Sequence, residues 1–129
     1  MRKIAKNNHG LTLLEVLICM LILAFGLLGL APMFTMAIEG NVISRDTSIA
    51  SDLIKDKIEY FESVDPLPSV PYTELETGLN GQYNRSTYIN DHASDSTVPD
   101  SMYRLDVVVA WTDHQSVNRS ATYSTYLIP

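Results

Sequence analysis

The chain has 129 residues, room for one domain with an appendage, and 46% of them are hydrophobic. Its formal charge is −6, yet three of its nine basic residues, Arg2, Lys3 and Lys6, stand in the first ten positions, which hold no acid. The remainder carries six basic against 15 acidic side chains, a surface that argues against a nucleic-acid partner, since such partners need clustered lysine and arginine. The lone cysteine, Cys19, leaves no intrachain disulfide, so any folded domain must hold together by packing.

The first ten residues, MRKIAKNNHG, are a polar, basic leader ending in Gly10. An apolar run follows at once. From Val16 to Ile38 no residue is charged. As a helix that run spans roughly 35 Å at about 1.5 Å per residue, against a hydrocarbon core of about 30 Å. Basic residues before it and acidic ones after it predict a cytoplasmic N-terminus and an exported C-terminal part. A secretory signal peptide has a shorter apolar core and small residues at its cleavage site, whereas here Ala31 is followed by Pro32.

A plain anchor needs neither Gly10 immediately before the run nor Glu15 five residues later. A carboxylate in hydrocarbon is costly unless it is paired. Gly26, Gly29 and Pro32 also weaken a helix, so a kink or local melting is expected near residues 28–32.

The stretch Gly10-Leu11-Thr12-Leu13-Leu14-Glu15-Val16-Leu17 resembles the type IV prepilin signal, in which a short basic leader ends in glycine. That resemblance implies cleavage by a prepilin peptidase between Gly10 and Leu11 and N-methylation of Leu11, where the family usually has Phe or Met. It also implies that Glu15 pairs with the N-terminal ammonium of a neighbouring subunit when helices bundle in a filament. Residues 22–31, ILAFGLLGLA, and the later IASDLIKDKIEYF are similar to minor pilins of the PilV type. They are less closely similar to the I-type minor pseudopilin of type II secretion. The role implied is a low-copy structural subunit that primes pilus assembly or caps the tip. Its partners would be the peptidase, other minor and major pilins, and the inner membrane before assembly; after assembly it would sit in the pilus at the cell surface. The rival readings are a type II secretion pseudopilin, a DNA-uptake pilus subunit, and a membrane-anchored binding module.

After Gly40 a second helical pattern begins. Ile43, Ala50, Leu53, Ile54, Ile58 and Phe61 recur at helical spacing between charged residues, giving one apolar face. The two segments read as one long helix from about 12 to 64, stopped before Pro66. Residues 65–81, with three prolines and two glycines, read as loop throughout. Three alternating segments then predict strands: 82–90, 102–111 and 121–128. The link 112–118 is hairpin-sized, and the acidic loop 90–100 reads as too polar to pack. The expected fold is α+β, a long N-terminal helix laid on a small antiparallel sheet. The expected partition is a leader at 1–10, a transmembrane helix at 11–39 and a globular domain at 40–129.

No arrangement of residues supports catalysis. His92 and His114 stand in polar loops beside aspartates, and the Asp91/Asp95/Asp100 loop lacks the glycine and final glutamate of an EF-hand. No enzyme activity, cofactor or metal site is expected.

Overall fold

The computed structural model describes residues 12–128. Their order is α1 (Leu13–Ser63), β1 (Tyr72–Leu79), β2 (Tyr83–Asn90), β3 (Tyr103–Thr112) and β4 (Asn118–Leu127). The strands form one antiparallel sheet in the order β1-β2-β3-β4. A long helix packed on a four-stranded antiparallel sheet is the α+β arrangement expected. The chain divides into two units, Met1–Asn41 and Val42–Pro129.

In the second unit, Asp46, Ala50, Ile54, Lys57 and Phe61 are the buried positions of α1, spaced four, four, three and four apart. That spacing keeps them on one stripe of a 3.6-residue helix. The sheet meets them with the alternate residues of each strand, among them Tyr83, Ile89, Leu105, Val107, Val109, Trp111 and Leu127. The Phe61 ring meets Tyr72 edge-on at 5.8 Å, and Tyr83 lies 5.7 Å from Trp111, both within the range where aromatic pairs attract.

The sheet-facing stripe is not purely apolar. Lys57 is buried, its Nζ 2.6 Å from Glu74 Oε2 and 3.1 Å from Glu76 Oε2. Arg85 donates from Nε to Glu76 Oε2 at 2.7 Å and from Nη2 to Glu76 Oε1 at 2.9 Å. Its remaining Nη1 donates to the Leu53 carbonyl of α1 at 2.7 Å. Two cations and two carboxylates are thus balanced inside the packing, the condition under which buried charge is tolerated. Burial pushes the Lys57 ammonium down, but hydrogen bonds to Glu74 and Glu76 outweigh it, so its pKa is raised. The hydrogen bonds from Arg85, opposed by burial and aided by Lys57, hold Glu76 below its ordinary value.

This cluster accounts for β1, which lies inside residues 65–81, the stretch expected to be loop. Glu74 and Glu76 alternate with exposed Thr73, Leu75 and Thr77, so the strand period is present but its two central inward members are charged. Pairing with β2 shifts register between Glu76 and Leu79. Gly78 sits there at φ +74°, and its amide donates to Asn84 Oδ1 at 3.3 Å.

The loop between β2 and β3 also departs from expectation. It folds back rather than staying solvated: Val98 is only 1% exposed, and Arg104 bridges Asp95 at 2.8 Å and Asp106 at 2.9 Å. The β3–β4 hairpin closes at the pair Thr112↔Asn118. Asp113 Oδ1 accepts from the Gln115 and Val117 amides, and Oδ2 from Arg119 Nε, each at 2.8–2.9 Å.

Candidate functional site

Thr12 immediately precedes α1. Its Oγ1 accepts from the Glu15 amide at 3.3 Å, and its carbonyl accepts the Glu15 and Val16 amides at 3.0 and 3.2 Å. Thr12 is therefore an N-cap, and Thr12-Leu13-Leu14-Glu15 has the T-x-x-E spacing of a capping box. Glu15 lies in the first turn, where the helix dipole favours negative charge. This local role of Glu15 is missing from the sequence-based expectations, although the Thr12–Glu15 spacing makes it readable.

From Leu13 to Ile38 every large apolar side chain is exposed. Among the described residues, α1 is the one helix long and apolar enough to cross a membrane. Such exposure is costly in water and favourable in lipid. Gly26 and Gly29 face open space, with nothing within 4 Å of a Cβ added at either. The helix is unbroken through Pro32, so no turn near residues 28–32 is melted here. One turn on, the Thr35 hydroxyl donates to the Ala31 carbonyl at 3.3 Å, a back-bond common in membrane helices. Cys19 is a free, exposed thiol on the same segment.

The pair Gly10 and Leu11, where cleavage and methylation are expected, lies outside the described residues. His92 Nδ1 lies 2.6 Å from the Val98 carbonyl, which engages it in the loop structure. Among the described residues there is no group of three or more His, Cys, Asp or Glu placed to hold a metal.

No curated protein and no solved structure gives a significant match to this chain. A family model does match: residues 5–31 fit the prokaryotic N-terminal methylation motif. The match takes in Gly10, Leu11, Glu15, Gly26 and Gly29 and ends just before Pro32. The chain therefore carries, on its N-terminal segment, the methylation motif of type IV pilin-type proteins.

Proposed function

We propose that the chain is a minor structural subunit of a type IV pilus, acting in initiation of assembly or at the tip. The observation that carries this reading is the methylation motif at residues 5–31, continuing into a helix that starts at Leu13 with Glu15 in its first turn. On this reading a prepilin peptidase cuts between Gly10 and Leu11 and Leu11 is N-methylated. Residues 11–39 anchor the subunit in the inner membrane, and residues 40–129 form the domain outside it. The role is structural, with no catalytic step and no cofactor.

Cleavage creates an N-terminal ammonium. In a filament whose helices bundle at the centre, Glu15 of one subunit pairs with the ammonium of another. Before assembly Glu15 sits within the first turn of the helix, near enough to the interface to stay hydrated. Once buried, an unpaired carboxylate would be strongly unfavourable, so the pair fixes axial register. Gly26, Gly29 and Pro32 mark the segment where the helix bends to pack among its neighbours.

The test is incorporation. Filaments sheared from the encoding organism should contain the parent chain at low copy. Glu15→Ala should reach the membrane at the parent level, since the change removes an expensive group from lipid. It should be depleted from the sheared fraction. Absence of the parent chain from filaments, or equal incorporation of the variant, would overturn the reading.

A further inference from the structure

The two edges of the sheet are built differently. On β1 two of the inward positions, Glu74 and Glu76, are charged, and the register shifts at a bulge before Leu79. Inward charges and bulges are the devices that keep an edge from pairing with another chain. β4 has neither. It pairs with β3 without a register shift from Thr112↔Asn118 to Tyr103↔Leu127. It contains no proline or lysine, and its residues 120–126 are uncharged.

β4 also borders a groove. Between the strand and α1 lies a groove of about 480 Å³ whose apolar floor is Ile54, Ile58, Ala121 and Tyr123. Tyr123 lies opposite Val107, on the core-facing side of the sheet, yet 53% of it is exposed, whereas Val107 is fully buried. A large ring on the inner face of an edge strand is where the side chains of a further strand would sit. The rim carries Glu59 and Glu62 against one cation, Lys55.

We infer that β4 is a strand-addition site for an extended segment of a partner chain, with apolar residues turned into the groove and lysine or arginine set against Glu59 and Glu62. The free edge supplies backbone hydrogen bonds, and the groove supplies selectivity. Charge disfavours a second copy as the occupant. Residues 42–129 hold 13 acids and six bases, and the one base on β4, Arg119, is bound to Asp113 at 2.8 Å. The inference stands on the second unit alone and does not depend on processing of the leader.

The test uses the full chain in a neutral detergent and the octapeptide Val-Ser-Val-Ser-Lys-Ser-Lys-Ser, whose valines and lysines share one face when extended, with binding followed by fluorescence anisotropy. Two control peptides replace lysine by glutamate, or methylate every backbone amide nitrogen. The lysine peptide should bind in an extended conformation, and each control at least tenfold more weakly. Tyr123→Ala, and Glu59→Gln with Glu62→Gln, should each weaken binding at least fivefold while the fluorescence of Trp111 stays unchanged. Equal binding by the methylated peptide would mean attraction by charge alone and would overturn the proposal. So would no binding, indifference to the Glu59 and Glu62 changes, or self-association of the chain through this edge.

Discussion

Arg85 and Glu76 stand opposite each other on β2 and β1, and the guanidinium holds both oxygens of the carboxylate, at 2.7 and 2.9 Å. A third contact ties the same guanidinium to the Leu53 carbonyl on α1. One side chain therefore fastens an edge strand to its neighbour and the sheet to the helix. Arg85→Ala strands the carboxylates beside Lys57 alone. The expected loss is about 3 kcal/mol, the low end for breaking a buried pair, because Glu76 keeps some access to water. The urea midpoint of Trp111 fluorescence reads it, since this sole tryptophan is 5% exposed in the core.

The same cluster sets a pH window. Glu76 is held below its ordinary value of 4.5, so the stability it contributes is present above that value and lost as pH falls through its depressed one. Lys57 is raised above 10.5, so its contribution is complete below that value and lost as pH rises past the raised one. The gap in urea midpoint between the parent and Glu76→Gln should be constant near neutrality and narrow in acid. The gap to Lys57→Met should narrow in alkali. A gap independent of pH would contradict the assigned shifts.

Thr87 is fully buried, and its Oγ1 has no hydrogen-bond partner among the described residues. An unsatisfied buried hydroxyl costs about 1–3 kcal/mol. Thr87→Val keeps the shape and removes that cost, so it should raise the urea midpoint by an amount equivalent to about 1 kcal/mol. A lowered midpoint would show that the hydroxyl is satisfied.

Asp113 organises its hairpin through the Val117 and Gln115 amides and Arg119, and these hydrogen bonds, led by Val117, lower its pKa. Asp113→Ala should speed hydrogen exchange at the Gln115 and Val117 amides while leaving the β2–β3 ladder protected. Unchanged exchange at both would contradict this role.

Much of this architecture was legible because its signals are periodic. The long helix and β2, β3 and β4 follow from 3.6- and two-residue repeats, and their limits fall close to those expected. β1 was hidden among prolines and glycines, and its two central inward residues are glutamates, which read as solvent-facing until Lys57 and Arg85 are brought to them from distant elements. The packing of Val98 was hidden as well, since a single large apolar residue in a mostly polar loop has no period. Of the candidate site, the apolar run, Glu15 and the glycines were readable as a set, and Thr12 as their cap was overlooked. The open edge at β4 is not legible from the strand pattern alone, because only the fold shows that Tyr123 meets the groove.

The central claim is that the chain is a prepilin-type precursor cut after Gly10, and intact-mass spectrometry of the membrane fraction tests it most directly. Coexpressed with a prepilin peptidase, the chain should lose residues 1–10 and gain one methyl group on Leu11. Gly10→Val should remain at precursor mass, because a branched side chain blocks a site that accepts glycine. A parent chain that keeps its leader, or a Gly10→Val chain processed like the parent, would contradict the account.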